Sequence, residues 1–159
     1  ASALIDKSAN DYRVYCFGRG VDDSNATLAS LRRNLGLEGT VFFCGEVDSS
    51  ANGLSAFDCL VSSSTWGEGF PNVVAESLLT GIPCVCTDVG DSALIVGNEG
   101  VIVRPSDPVA LAQGMKMLIT TVRDCPPERE SLIRERRRKS VLDRFSLEDM
   151  ILAYQNVWN

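Results

Sequence analysis

The chain has 159 residues, 45% hydrophobic and 23% charged, with a formal net charge of −6. That length fits one domain of ordinary size. No run of about 18 apolar residues occurs, which excludes a membrane-crossing helix, and the acidic balance argues against a protein that grips nucleic-acid phosphates regardless of sequence. Histidine is absent, so no His-based dyad, triad or metal site can exist. Of the six cysteines, Cys16, Cys44, Cys59, Cys84 and Cys86 lie within or beside apolar runs. They read as buried free thiols of a reducing compartment. Cys84 and Cys86 would share one side of a strand, and their spacing matches neither a zinc knuckle nor a redox C-x-x-C pair. Ala1 to Asn10 has one Lys and no long apolar core, so it is not a signal peptide. The first residue is not Met, and the sequence reads as a fragment.

In chain order, Arg13 to Phe17 predicts a strand, ended by the tight loop Gly18-Arg19-Gly20. Asn25 to Leu35 carries Leu28, Leu31 and Leu35 on one helical face, and Gly36 stops that helix. Thr40 to Cys44 predicts a second strand and Leu54 to Phe57 a short helix. A third strand opens at Cys59 to Val61 and runs into Ser62-Ser63-Ser64, a strand-end loop rather than a nucleophile, since no base is at hand. Asn72 to Thr80 predicts a helix closed by Gly81, Pro83 to Cys86 a buried strand, and Val101 to Val103 another. Between these two strands, Asp88, Gly90 and Asp91 read as a turn and a helix cap. Asp107-Pro108 caps a helix that runs to about Ile119. Pro127 to Arg144 predicts a long charged helix, and Ser146 to Asp149 a capping box for a last helix ending near Trp158. Strands alternating with helices predict an α/β fold, a Rossmann-like parallel sheet with helices on both faces. A βαβ sheet usually begins with a strand, so an upstream strand is expected to be missing.

Residues 1–119 hold 7 basic and 14 acidic side chains, whereas residues 120–159 hold 8 and 7. The basic run Arg134 to Lys139 reads as the solvated face of a helix whose apolar side is Leu132, Ile133, Val141 and Leu142. Arg104 reads as a surface side chain.

The stretch from Ser62 to Glu76 carries the chemistry. In open α/β sheets, ligands bind beyond the carboxyl ends of the strands. Gly67 and Gly69 let backbone approach a ligand, and the helix start near Asn72 offers N–H groups and a positive dipole to a phosphate. Glu68 and Glu76, eight residues apart, can each accept hydrogen bonds from neighbouring hydroxyls. Phosphate donors beside two hydroxyl-reading carboxylates suggest a nucleotide-sugar site. Trp66 either stacks on the ligand or packs the loop.

The run EGFPNVVAESLLTGIPCVCTDVGD resembles the E-x7-E region of the retaining family-4 glycosyltransferases, whose fold is GT-B. RVYCFGRGVDDSNATLASLRRNLGLEGTVFFCGEV is similar to the upstream part of the same C-terminal domain, VIVRPSDPVALAQGM to its downstream part, and FSLEDMILAYQNVW to its closing helix. The resemblance divides the chain into a donor-binding domain (1–145), truncated at its N-terminus, and a closing helix (146–159). It implies that Glu76 holds the donor ribose and Glu68 contacts the transferred sugar near the reacting centre. Backbone N–H groups of Gly69 and Phe70 would meet the sugar, and those of Asn72, Val73 and Val74 the diphosphate, with Pro71 shaping the turn. Gly45, Glu46 and Val47 would lie near the base, and Gly18 close by on the same edge.

The implied reaction moves a glycosyl group from a nucleoside diphosphate sugar, by default a UDP-sugar, to an acceptor hydroxyl with retention. No metal and no cofactor are expected, because positive side chains and the helix dipole stabilise the leaving diphosphate. The family's Arg-x4-Lys-like segment and its N-terminal acceptor-binding domain precede the point where this sequence starts. The chain alone is therefore expected to bind the donor weakly and to show little or no turnover. Other expected partners are that missing domain and no nucleic acid. The expected location is cytoplasmic, with any contact to the inner membrane face made through the missing domain. Three other readings compete. One is a non-catalytic nucleotide-binding module. Another is a glycoside hydrolase using Glu68 and Glu76, which fits poorly with a helix-borne carboxylate beside a phosphate-suited helix start. The third is a flavodoxin-like interaction domain.

Overall fold

The computed structural model describes residues 12–47 and 51–158. The chain divides into two compact units, Ala1–Ser49 and Ser50–Asn159. Ala1 to Asn10, expected not to be a signal peptide, lies outside the described residues.

In the first unit, β1 (Val14–Phe17) leads through a glycine loop to α1 (Ala26–Asn34) and then to β2 (Val41–Gly45). The two strands are parallel, with Val14 opposite Val41 and Tyr15 opposite Phe42. The register then slips, so Cys16 faces Phe43 but Phe17 faces Gly45. Cys44 is the extra residue of this bulge, which is why it is exposed rather than buried as its sequence neighbours suggest. Asn25 caps α1 by accepting from the Leu28 N–H at 3.2 Å. The apolar face expected of α1 is not a core face: Leu31 is 53% exposed and no residue of the helix is buried. Its inward contact is instead Arg32, whose guanidinium lies 4.7 Å over the Phe43 ring and pairs with Asp23 at 2.8 Å.

The second unit contains α2 (Ala51–Leu54), β3 (Leu60–Ser62), α3 (Asn72–Leu79), β4 (Cys84–Thr87), α4 (Ser92–Val96), β5 (Val101–Val103), α5 (Pro108–Arg123), α6 (Pro127–Leu142) and α7 (Leu147–Trp158). The short helix expected at Leu54 to Phe57 lies earlier, ending at Leu54, and Ser55 to Phe57 follow it as a turn. Its bonds run three residues back, from the Ala56 N–H to Gly53 O and from the Phe57 N–H to Leu54 O. Strands β3, β4 and β5 pair in parallel in that order. Every residue of β4 is buried, as a central parallel strand requires.

The alternation along β4 assigns its two faces. Cys84 and Cys86 join Leu60 and Ile102 against Val74, Leu78, Ile95, Val96 and Val141, and so meet α3, α4 and α6. Burying side chains such as Leu78 and Ile95, both fully enclosed, stabilises the unit by about 1.5–3 kcal/mol each. On the other face α5 lies so close that a Cβ on Gly114 would stand 2.9 Å from Val85 Cγ1 and 3.2 Å from Val101 Cγ1. Helices thus cover both faces of this parallel sheet. The Cys84 thiol is pushed up by its hydrogen bond with Cys86 and by burial, so it stays protonated. Cys16 and Cys59 are only part-buried and Cys44 is exposed, so of the five thiols expected to be buried only Cys84 and Cys86 are fully so.

Three helices depart from expectation. α4 turns a predicted cap into a five-residue helix because Ile95 and Val96 find the core. The Asp91 side chain does not cap it; instead the Ser92 hydroxyl donates to Val89 O at 2.7 Å. α5 continues a turn past Ile119, and there the Thr121 hydroxyl is satisfied by donating back to Met117 O at 2.8 Å. α6 does not use its leucines as expected: Leu132 is 71% exposed. Part of the basic run turns inward in their place. Arg137 donates to Gly81 O at 3.1 Å, and burial holds its guanidinium below the usual range. Arg136 grips Glu99 through two bonds, of 3.0 and 2.9 Å. The Asp107 cap forms as the sequence predicts; at Ser146 the hydroxyl accepts from the Asp149 N–H at 3.1 Å as a capping box requires, but the Asp149 carboxylate is met by that hydroxyl, at 2.7 Å.

Candidate functional site

The loop from Ser63 to Pro71 joins the carboxyl end of β3 to the start of α3. It is exposed almost throughout, and Trp66 at its crest is 84% accessible. Glu68 is oriented from within the loop, because the Ser64 hydroxyl donates to its Oε1 at 2.7 Å. The loop is anchored in turn by the strand beside it. The Thr87 hydroxyl, at the end of β4, donates to Ser64 O at 2.6 Å.

Its far end is held by the turn that follows β4. The Asp91 N–H donates to Gly69 O at 2.9 Å. Gly90, at φ +57°, presses against the same backbone: a Cβ there would stand 2.6 Å from Glu68 O. Only glycine suits both that dihedral and that distance. Phe70 leaves the loop toward Phe145 and meets it edge-on, centroids 5.4 Å apart at 70°. The Arg144 guanidinium lies over the Phe145 ring and donates to Leu94 O and Ile95 O, the carbonyl end of α4.

Helix α3 opens on Pro71, buried and extended at φ −72°, ψ 94°, and no side chain caps it. A helix start leaves its first N–H groups without intrahelical acceptors, so those of Asn72 and Val73 face outward with the positive end of the dipole. The Val74 N–H donates to Pro71 O at 3.0 Å. Glu76 lies one turn further on, half-buried. The arrangement is a buttressed carboxylate, Glu68, next to an uncapped helix start, with Glu76 behind it. It can accept hydrogen bonds from hydroxyls and donate them to an anion.

The other candidate residues lie in the first unit, at the carboxyl edge of its two strands. The Gly18 N–H donates to Gly45 O at 2.8 Å, and the Gly45 N–H to Val21 O at 2.7 Å. Glu46 stands 3.7 Å from Arg19, both exposed, and Val47 is exposed beside it. The structure thus groups Gly18, Gly45, Glu46 and Val47 in one unit and Glu68 to Glu76 in the other. Ser64, Thr87 and Gly90 escaped the sequence reading as supports of Glu68. The only sequence signal was that the serine run and the turn after β4 both fall at carboxyl strand ends.

A family model described as glycosyl transferases group 1 matches residues 1–121. The chain belongs to this family. Among curated glycosyltransferases and related enzymes, it is 28% identical over 134 residues to the N-acetyl-alpha-D-glucosaminyl L-malate synthase of Bacillus anthracis. That match covers 83% of this chain and 34% of the relative. A glycosyltransferase structure from Rickettsia africae superposes with a TM-score of 0.80 at 22% identity, over 98% of this chain and 41% of that one. A variant of S. aureus TarM, solved with fondaparinux, alpha-GlcNAc-glycerol and UDP, superposes at 0.78 and 21% identity over 99% and 31%. These likenesses show the GT-B-type α/β fold. The chain spans well under half the length of each of these group 1 proteins. Among the described residues, no helix is long and apolar enough to cross a membrane, and no group of three or more His, Cys, Asp or Glu side chains could hold a metal ion.

Proposed function

We propose that this chain is the donor-binding half of a retaining glycosyltransferase, which passes a hexosyl group from a UDP-sugar to an acceptor hydroxyl. Supporting this reading is one observation above the rest: Glu68 is held rigidly by Ser64 and by the turn at Gly90, beside a helix start that no side chain caps. A sugar hydroxyl and a diphosphate are the two chemistries such a pair accepts together. In this reading Glu68 is the catalytic residue that touches the transferred sugar, and the Gly69 and Phe70 backbone lies along it. The N–H groups of Asn72 and Val73 serve the diphosphate, with Pro71 setting the turn and engaging the Val74 N–H, and Glu76 takes the ribose hydroxyls. The diphosphate is stabilised by the helix dipole without a metal ion, so turnover persists in chelator. The acceptor is bound by a further domain of the same polypeptide, and the enzyme works in the cytoplasm.

Titrating the chain with UDP, GDP and ADP by calorimetry, beside Glu76→Ala, tests this. Binding of one nucleotide, lost in the variant, is the expected result. Equal binding by the variant would remove Glu76 from the site. Absence of binding even on a chain extended upstream by one strand and loop would count against a nucleotide site altogether.

A further inference from the structure

Resting on that reading, we propose that Ser64 and Thr87 are positioning residues for Glu68, forming a two-bond relay from the core strand β4 to the carboxylate that meets the donor sugar. The serine run has no base beside it and no nucleophilic use, yet its last member donates its hydroxyl proton to Glu68 Oε1 at 2.7 Å. That bond has two consequences. It fixes the carboxylate in a loop that is otherwise exposed. It also takes one of the two acceptor sites of Oε1, which leaves Oε2 the freer oxygen for a substrate hydroxyl. Ser64 needs a fixed backbone to do this. Thr87 provides it, donating to Ser64 O at 2.6 Å from a strand that is buried throughout. The Thr87 side chain is itself almost fully enclosed, and both carbonyls its hydroxyl reaches, Ser64 O at 2.6 Å and Ser62 O at 3.4 Å, belong to the segment that ends β3. A charge-assisted bond on a reacting-centre carboxylate orients it before the substrate arrives, and small misplacements there are costly in rate.

The test is a mutant cycle on UDP-sugar turnover by the full-length protein, with UDP affinity and thermal melting measured alongside. Ser64→Ala is expected to lower kcat by about tenfold or more while leaving the UDP Kd within about twofold. Ser64→Thr, which keeps the hydroxyl, restores most of the rate. In a Glu68→Ala background, Ser64→Ala costs nothing further, because both changes remove one function. Thr87→Val follows the same pattern and carries the cycle if Ser64→Ala fails to fold. A wild-type kcat in Ser64→Ala, or a full further loss in the Glu68→Ala background, overturns the relay while the proposed function stands. A wild-type protein that neither binds a nucleoside diphosphate nor turns over its sugar ester overturns both.

Discussion

Gly90 lies so near Glu68 that a Cβ on it would stand 2.6 Å from the Glu68 carbonyl oxygen. The turn after β4 and the loop after β3 are therefore in direct backbone contact, and no side chain separates them. Gly90→Ala meets two penalties, a left-handed dihedral and a steric overlap. The variant is expected to lose about 2–4 kcal/mol in urea unfolding. A loss below about 0.5 kcal/mol would show that the loop gives way freely and that Glu68 is not braced from this side.

The Phe70–Phe145 contact ties the same loop to the end of α6. Phe145→Ala removes the edge-on ring pair and the surface over which Arg144 lies. A cost of about 2–3 kcal/mol is expected. Amide exchange should rise beyond the global change at Val74 and Asp91, whose N–H groups bond to Pro71 O and Gly69 O. Uniform loss of protection would assign Phe145 a purely core role.

The Cys84 thiol makes the protein sensitive to alkali. Its hydrogen bond to Cys86 and its burial raise its ionisation above the unfolded value. The unfolded chain then releases a proton that the folded chain keeps. The stabilisation is complete below the unfolded thiol value of about 8.5 and falls as the pH rises past it, by up to about 1.4 kcal/mol per pH unit. Denaturant midpoints measured from pH 7 to 10 check this. Cys84→Ala should flatten the alkaline limb, and an unchanged slope would mean that the thiol ionises in place.

Members of the basic run on α6 are expected to differ in weight. Arg136 holds Glu99, whose side chain is only 10% exposed, whereas Arg138 lies on the solvent side. Arg136→Ala removes both hydrogen bonds to that carboxylate, leaving only the neighbouring Arg137 charge beside it, and should cost about 1–2 kcal/mol. Arg138→Ala should be near neutral. Equal melting temperatures for the two variants would contradict this division.

Most of the architecture was legible because its signals are local. The Asp107-Pro108 start, the glycine after Thr80 and the apolar run at Cys84 to Cys86 each act within a few residues, and each lies where expected. The placement of Glu68 in a loop and Glu76 in the helix after it was legible for the same reason. What failed depended on neighbours distant in sequence. Cys44 is exposed because a bulge forms against β1. Leu132 faces outward because Gly81 accepts the close approach of Arg134 and Arg137 on the same helix. The support of Glu68 joins residues more than twenty positions apart, at Ser64 and Thr87, and periodicity carries no trace of such pairs.

Gly114 sits where α5 leaves no room above Val85. This links the two positions in the paths by which the sequence can change. Enlarging Gly114 alone is closed, and shrinking Val85 alone opens a void. Gly114→Ala together with Val85→Ala exchanges volume across the contact and should be better tolerated than the sum of the two single changes. The outer side of the same helix, where Val109 and Met117 are exposed, is under no such constraint. Drift along α5 should thus be rapid on one side and, on the other, proceed only in matched steps.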